Sequence, residues 1–230
     1  MTAPLGPPIA PKPIVSWSYS ALSMFENCPR KYWAVKVKKL VSDANQYNIA
    51  GDDDHKAFEH YMGKGIALPP ALAKYLPLLD KIKNAPGELH VEKLLCLNLN
   101  FHPCGYRDWN QAWVRGAGDV FKVDGTTLRY FDWKRGKFRP SDEQIELTSL
   151  LAFAHFPEVE RVVGGLVFYN AGKVHPHIVH KSEASLLWNG WLARVRELEN
   201  AVKTDTFPPT PNPLCGWCPY KACQYNTNKS

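Results

Sequence analysis

The sequence has no long apolar run: no stretch of its 230 residues approaches the ~18 consecutive apolar residues of a membrane-spanning helix. Residues 1–16 are rich in proline, with neither a basic start nor an apolar core, which excludes a secretory signal peptide. No Gly-x4-Gly-Lys-Ser/Thr sequence is present, so a P-loop is excluded and any ATP-driven movement has to come from a partner. These absences predict a soluble cytoplasmic protein without a membrane partner.

Neither sign of charge dominates, because 28 lysines and arginines face 22 aspartates and glutamates, a net charge of +6. This balance permits a polyanion such as nucleic acid as partner but does not require one. A hydrophobic fraction of 45% excludes wholesale disorder. The length predicts one domain over residues 17–230, preceded by a proline-rich flexible tail at 1–16.

Hydrophobic periodicity predicts helices, then a mainly antiparallel run of strands, then further helices, which together make a mixed α/β sheet domain. The predicted helix that begins at Gly51 has acidic residues at 52 to 54 in its first turn, where the helix dipole favours negative charge. The predicted helices are Gly51 to Met62, Ala71 to Lys83, Glu143 to Phe156 and Glu183 to Val202, with helical turns interrupted by Pro29 between Ser18 and Lys39. The predicted strands are Glu88 to Phe101, Val114 to Val123, Thr126 to Lys134, Val162 to Tyr169 and Lys173 to Val179.

A predicted hairpin brings charged residues to the end of an apolar face. A two-residue turn at Asp124-Gly125 places Asp119 opposite Tyr130, with Asp132 as its diagonal neighbour and Lys134 further along the same face. Two buried carboxylates repel each other unless a cation neutralises them, and Mg²⁺ prefers such ligands. The constellation fits phosphodiester hydrolysis. The alternative is a salt bridge between Asp132 and Lys134 at a strand end.

A histidine is expected to face the same carboxylates. His55 shares a helical stripe with Phe58 and Met62, and this stripe has to pack on the sheet. His55 is therefore a candidate third metal ligand or acid/base group. The alternative is a hydrogen-bonded histidine of the core.

Three cysteines near the carboxyl terminus, Cys215, Cys218 and Cys223, have the spacing Cys-x2-Cys-x4-Cys, which is typical of a metal centre. Cys28, followed by proline as Cys218 is, is the expected fourth ligand. Zinc and a four-iron cluster both accept four thiolates, and the spacing does not separate them. Free thiols are the alternative. The remaining candidates are Cys96, which the pattern places as a small buried residue, and Cys104.

Two basic runs are candidate DNA-binding segments, because lysine and arginine neutralise phosphates and interleaved aromatic rings can stack on unpaired bases. Solvated basic faces are the alternative. The first run holds Arg30, Lys31, Lys36 and Lys38, with Tyr32 and Trp33 between them; the second holds Arg135, Lys137 and Arg139.

Together these motifs resemble the RecB-like branch of the PD-(D/E)XK nuclease superfamily. They are especially similar to its iron–sulfur members, such as the CRISPR-associated exonucleases, the AddB nuclease domain and related phage exonucleases. The resemblance extends from about residue 18 to residue 223. It rests on Ser20 to Lys31 around Cys28, Gly51-x3-His55, Gly118-Asp119, Asp132-Trp133-Lys134, Gln144 and the three terminal cysteines.

The resemblance implies a restriction-endonuclease-like core, a central mixed β-sheet flanked by helices. It also implies a four-cysteine metal module, Cys28 with residues 211–225, that joins the two ends of the chain. Thr148 stands where the family often has tyrosine, and Asp132 replaces the commoner glutamate. The implied catalytic set is Asp119, Asp132, Lys134, His55 and Gln144, and the implied metal ligands are His55, Asp119, Asp132 and the backbone carbonyl of Trp133.

The implied activity is a DNA exonuclease that hydrolyses phosphodiester bonds with a water activated by Mg²⁺ or Mn²⁺. A structural [4Fe–4S] cluster, or Zn²⁺ in its place, accompanies this activity. The expected partners are DNA with free ends or single-stranded segments and a helicase or recombination protein; a phage-encoded chain would act in the host cytoplasm. The alternatives are a non-catalytic DNA-binding or adaptor module of the same fold and a site-specific endonuclease.

Overall fold

The computed structural model describes residues 12–43 and 46–228, with the backbone alone for residues 46–52. Most of the predicted proline-rich tail therefore lies outside the described residues. Within the described part of the chain, no helix is long and apolar enough to cross a membrane.

The chain alternates helical segments with strands in the predicted order. Ser18 caps the first helix by accepting a hydrogen bond from the Ala21 N–H at 3.3 Å. The helices are α1 (Tyr19–Asn27), α2 (Pro29–Tyr32), α3 (Gln46–Lys64), α4 (Leu76–Lys83), α5 (Glu143–His155) and α6 (Ala184–Thr204), with a π-helical turn at Trp33–Val37 and a 3-10 segment at Pro70–Tyr75. The strands are β1 (Glu88–Leu97), β2 (Val114–Asp124), β3 (Thr127–Trp133), β4 (Arg161–Phe168) and β5 (Lys173–His180).

The strands of the described chain form one five-stranded sheet in the order β1-β2-β3-β4-β5. β3 and β4 are parallel, and α5 provides the crossover that parallel neighbours need. The other neighbouring pairs are antiparallel. The mixed sheet flanked by helices is therefore confirmed.

The predicted hairpin register is wrong by two residues. Val123 pairs with Leu128 and Asp124 with Thr127, so the turn is Gly125-Thr126 rather than Asp124-Gly125. The left-handed φ of 54° at Gly125 belongs to a turn that needs glycine at its first central position. A slip of two residues keeps every side chain on its predicted face, because side chains in a strand alternate with period two.

Two helix boundaries also differ from prediction. α3 begins at Gln46 rather than Gly51, so the acidic residues at 52 to 54 lie in the helix interior and not in its first turn. The single helix predicted from Ala71 to Lys83 is divided into the 3-10 segment and α4, which has a proline in its first two positions. Proline lacks the N–H that a helix interior requires, so the α-helix starts there instead of continuing through it.

β1 is shorter than predicted because the chain turns directly after it. The Asn98 side chain accepts hydrogen bonds from the N–H groups of Asn100 at 2.9 Å and His102 at 3.1 Å. Phe101 has a left-handed φ of 59°. Such a local side-chain turn competes with the sheet and ends the strand at Leu97.

The sheet separates two apolar layers, and their arrangement sets the position of α3. Phe58 and Met62 of α3 are 1% and 2% exposed and pack with Val120 of β2, as the predicted stripe requires. The opposite layer contains α5 and α6. Its members include Leu22, Phe25, Phe121, Leu128, Tyr130, Ile145, Leu150, Leu151, Trp191 and Leu198.

Gly118 is required by close packing next to the hairpin. A Cβ atom at this position would overlap the rigid ring of Phe121. We expect Gly118→Ala to destabilise the protein by about 1–3 kcal/mol, as overpacking of a core does. Denaturant unfolding followed by circular dichroism measures the change.

Gly190→Ala is the matched control. Gly190 lies within α6, and apart from its chain neighbours and the backbone of its own helix, no atom of the described residues lies within 4 Å of the place its Cβ would take. Alanine there should stabilise the protein by about 0.5–1 kcal/mol, since glycine weakens a helix interior. Equal effects of the two substitutions would contradict the packing at Gly118.

Candidate functional site

The two predicted carboxylates meet where the middle of β2 lies beside the end of β3. The pairing of Val120 with Phe131, continued by one position, brings Asp119 opposite Asp132. Asp119 Oδ2 accepts a hydrogen bond from the Trp133 N–H at 2.6 Å. The side chains of Asp119 and Asp132 are only 13% and 8% exposed. Two carboxylates are thus held close together in a position that is largely shielded from solvent.

Asp132 is positioned by neutral donors on one oxygen and by a cation on the other. The Tyr130 O–H donates to Oδ1 at 2.9 Å, and Gln144 Nε2 on α5 donates to the same oxygen at 2.8 Å. Oδ2 lies 2.5 Å from Lys134 Nζ, although the angles do not satisfy a hydrogen bond and the atom is otherwise unpartnered among the described residues. We treat this contact as an ion pair. The Thr148 side chain on α5 also lies close to the Tyr130 hydroxyl.

Burial and repulsion govern the protonation of this site. Burial, and next the charge of Asp132, raise the pKa of Asp119 to about 8, against the lowering effect of the Trp133 N–H. The pKa of Tyr130 is also raised, by burial first, so its O–H stays a donor. Asp119 therefore keeps its proton to a higher pH than an exposed aspartate does.

His55 reaches the carboxylates from α3, as predicted. Its Nδ1 atom lies 3.9 Å from Asp119 Oδ2. The apolar stripe below it fixes this position, since Phe58 packs edge-on against the Trp133 ring with centroids 5.4 Å apart. The predicted ligand role of the Trp133 carbonyl stays a prediction.

Glu92 is a third carboxylate that the sequence analysis did not identify. It lies between Val91, which pairs with Val120, and Lys93, which pairs with Gly118, so it stands across from Asp119. Its φ of 50° is left-handed. Burial, then Glu59 and Asp132, raise the pKa of Glu92 to about 7. Only the strand register reveals this residue, because a lone glutamate in an apolar strand carries no motif.

The donor set suits a hard divalent cation. Buried carboxylate oxygens with an imidazole beside them are ligands that Mg²⁺ and Mn²⁺ accept, and Asp132 Oδ2 has a lone pair without a hydrogen-bond donor. Among the described residues, no three His, Cys, Asp or Glu side chains are already arranged around one metal position. Side-chain movement is thus needed before His55, Asp119 and Asp132 converge on one ion.

The site opens into a cleft of about 880 Å³. Lys134 and Gln144 line this cleft, and so do Cys28, Cys215 and Cys218. Lys31 and Arg139 from the two predicted basic runs also border this cleft. One cleft thus borders the lysine and the glutamine that contact Asp132 and also three of the four cysteines.

The predicted DNA-binding residues divide into paired and exposed groups. Lys31 forms an ion pair with Asp43 at 2.7 Å, and Arg135 forms one with Asp54 at 2.9 Å. Arg30 packs over the Trp33 ring, 5.1 Å from its centroid. Lys36, Lys38, Lys137 and Arg139 are exposed.

Tyr32 does not provide the expected stacking surface. Its ring is 3% exposed and stacks on Phe207, with centroids 6.3 Å apart. Burial raises the pKa of its hydroxyl to about 12. The residue is therefore part of the core, because the face of the helical segment that carries it packs inward.

The two ends of the chain meet at the cysteines. Cys28, Cys215, Cys218 and Cys223 line one cavity of about 20 Å³. Backbone N–H groups point at two of the sulfurs, from Thr210 to Cys28 at 3.5 Å and from Asn212 to Cys215 at 3.4 Å. Burial first, and the nearby Cys28 and Cys223 thiols, raise the pKa of Cys218.

The other two cysteines form a separate pair. Cys96 Sγ and Cys104 Sγ lie 3.3 Å apart, and Cys96 is 1% exposed, as its strand position predicts. Burial raises the pKa of Cys96 to about 12, so it stays a thiol. Cys28 rather than Cys104 is therefore the cysteine that accompanies the terminal three.

The family model of the PD-(D/E)XK nuclease superfamily matches residues 16–223. The chain belongs to this superfamily. Among solved structures, it is similar to the protein SSO0001, with 12% identity, a TM-score of 0.42, and coverage of 92% of this chain and 87% of that one. No curated protein matches the sequence.

Membership explains why these carboxylates, this lysine and this sheet occur together. It indicates a nuclease that uses a divalent metal such as Mg²⁺ and takes DNA as its substrate. The mixed sheet flanked by helices agrees with the superfamily fold.

Gln144→Leu should lower the rate of DNA cleavage about 10-fold to 100-fold, as loss of a residue that orients a candidate metal ligand would. The change removes the amide that donates to Asp132 Oδ1. The apparent affinity for Mg²⁺ should fall with it, and the Mg²⁺ dependence of the cleavage rate measures both. Gln224→Leu, on the exposed carboxyl-terminal segment, is the control; equal rates in the two variants would contradict the role of Gln144.

Proposed function

We propose that this chain is a Mg²⁺- or Mn²⁺-dependent DNA exonuclease of the RecB-like branch. One observation carries the proposal: Asp119 of β2 and Asp132 of β3 lie side by side, Lys134 Nζ lies 2.5 Å from Asp132 Oδ2, and Lys134 lines a cleft of about 880 Å³. An acidic pair beside a lysine suits phosphodiester hydrolysis, since the carboxylates can hold a metal and the lysine can stabilise negative charge.

Each residue of the site has a separate proposed role. Asp119, Asp132 and His55 would hold the metal, with the Trp133 carbonyl as a further ligand, and Gln144 and Tyr130 orient Asp132. When bound, the divalent metal supplies the positive charge that activates a water molecule and neutralises the phosphate. Lys134 stabilises negative charge on the scissile phosphate from the same side.

An exonuclease mode is the form of the activity that fits the cleft. Lys31 and Arg139 line it, and the Trp217 ring at its far end is 81% exposed and available to stack on a base. These features suit single-stranded segments or free ends of DNA, because their unpaired bases can enter the cleft and stack on the ring. A helicase or recombination protein would supply such ends, because the sequence has no P-loop of its own.

Digestion of end-labelled linear DNA and of closed circular DNA tests this mode. We expect Mg²⁺-dependent loss of the linear DNA, with the circles left intact. Cutting of closed circles would instead assign a site-specific endonuclease. Binding to DNA without cleavage under Mg²⁺ or Mn²⁺ would assign a non-catalytic adaptor module.

The second part of the proposal is a metal centre at Cys28, Cys215, Cys218 and Cys223. Four thiols bordering one cavity provide the right donor number for a [4Fe–4S] cluster or Zn²⁺, and N–H groups directed at sulfur stabilise thiolates. Such a centre would fasten residues near the amino terminus to the last segment. An absorption spectrum of anaerobically purified protein distinguishes the two metals, because only the iron–sulfur cluster absorbs broadly in the visible.

A further inference from the structure

Arg115 is an arginine of the cleft that neither basic run includes. It lies on β2, four residues before Asp119, and pairs with Cys96 of β1. Its side chain lines the same cleft as Lys134 and Gln144. It is therefore placed on the wall that a strand bound at the carboxylates would follow.

Aromatic rings hold its guanidinium group. Arg115 Cζ lies 3.9 Å from the ring centroid of Trp109 and 5.6 Å from that of Tyr106. Both rings come from the loop between β1 and β2. Stacking of this kind fixes the plane of a guanidinium without using its N–H donors. The thiols of Cys96 and Cys104, which are weak acceptors, border it as well.

The donor edge of Arg115 is unsatisfied. Its Nε and Nη2 atoms are buried and have no hydrogen-bond partner among residues 12–43 and 46–228. Nε and Nη2 form the edge that donates two parallel hydrogen bonds to the oxygens of a carboxylate or phosphate. Buried donors without an oxygen partner are costly, and an anion with two oxygens would satisfy both of them at once.

Arg194 shows the same arrangement with the edge occupied. Its Cζ atom lies 4.3 Å from the Trp191 ring centroid. Its Nε and Nη2 atoms donate to the two carboxylate oxygens of Glu26 at 2.6 and 2.7 Å. Arg194 pairs with an anion of its own chain, the Glu26 carboxylate. Arg115 has no carboxylate at the corresponding edge among the described residues.

We propose that Arg115 binds a phosphate group of the nucleic-acid strand in the cleft, with Trp109 and Tyr106 holding its guanidinium. This inference rests on the proposed function, since it assumes a nucleic-acid substrate. Trp109 is 70% exposed, so its ring can shift to admit the phosphate without opening the core. The strand is then held at Arg115 as well as at the scissile phosphate.

Binding of a short, fluorescein-labelled single-stranded oligonucleotide, followed by anisotropy in EDTA, tests the proposal in the full chain. Arg115→Gln should raise Kd about 10-fold to 100-fold, the effect of losing a hydrogen-bonded charge. The slope of log Kd against log salt concentration should fall by about 0.7, as loss of one phosphate contact to a single strand predicts. Arg115→Lys should keep the slope but weaken binding, since lysine keeps the charge and loses the bidentate edge.

The matched control is Arg129→Gln on β3, whose guanidinium faces Asp124 at 3.4 Å and lies away from the cleft. It should leave both Kd and the salt slope unchanged. Unchanged Kd and slope in Arg115→Gln, with the wild type binding normally, would overturn the assignment of Arg115 alone. Absence of oligonucleotide binding and of cleavage in the wild type would overturn the proposed function together with it. Thermal unfolding of each variant separates lost binding from lost folding, and Arg115→Lys provides the second variant.

Oligonucleotides with and without an end phosphate identify which phosphate Arg115 binds. An effect of Arg115→Gln confined to the phosphorylated strand assigns an end phosphate. An equal effect on both strands assigns an internal phosphodiester. No effect on either strand overturns the proposal.

Discussion

Lys134→Met protein is expected to cleave linear DNA at least about 100-fold more slowly than the wild type, because removal of one charged group aimed at the transition state costs this much. Lys134 Nζ lies 2.5 Å from Asp132 Oδ2 and borders the cleft, so it can act on the phosphate and on the carboxylate together. Methionine keeps the length of the side chain and removes its charge. Single-turnover cleavage at saturating Mg²⁺ isolates the chemical step.

Lys203→Met, at the exposed end of α6, is the control and should leave the rate unchanged. Circular dichroism shows whether both variants fold. A Lys134→Met protein that is folded and cleaves at the wild-type rate would contradict the role of this lysine.

Cys218→Ser is expected to have the largest effect outside the carboxylate site. Loss of one of the four proposed ligands should release most of the iron or zinc that the proposed centre holds, and metal binding contributes directly to folding. The midpoint of thermal unfolding should fall by about 5–10 °C, since each kcal/mol corresponds to about 2–4 °C in a chain of this size. Metal analysis and differential scanning calorimetry measure the two effects.

Cys104→Ser is the matched control for this experiment. Cys104 Sγ lies beside Cys96 Sγ rather than in the cavity of the other four cysteines, so the metal content should not change. An unchanged metal content and unfolding midpoint in Cys218→Ser would show that the four cysteines hold no metal.

The elements that carry a local pattern could be predicted from the sequence. The alternation around Asp119 and Asp132 gave the strands and the shared face, and the helical stripe of His55 gave the contact with the sheet. The predicted position of the hairpin turn was wrong, because Asp124-Gly125 and Gly125-Thr126 both contain the glycine that such a turn needs. The error of two residues left each side chain on its predicted face of the sheet, so the predicted site residues still lie together.

Features that depend on contacts between distant segments could not be predicted. Glu92 enters the site through the register of β1 against β2, and the left-handed φ of Glu92 appears only in three dimensions. Tyr32 was expected to be available for stacking but packs on Phe207, a residue far away in the sequence. The unsatisfied edge of Arg115 likewise depends on rings from a loop whose path the sequence does not specify.

The most direct test of the central claim is a Mg²⁺ titration of DNA cleavage by the wild type and by Asp132→Asn. Asparagine keeps the shape of Asp132 but removes its negative charge. This charge pairs with Lys134 and would hold the metal. We expect cleavage by the wild type to rise with Mg²⁺ and to stop in EDTA, and Asp132→Asn to be at least about 100-fold slower at every concentration. Cleavage that persists in EDTA, or that Asp132→Asn supports at the wild-type rate, would contradict a metal-dependent nuclease site at these residues.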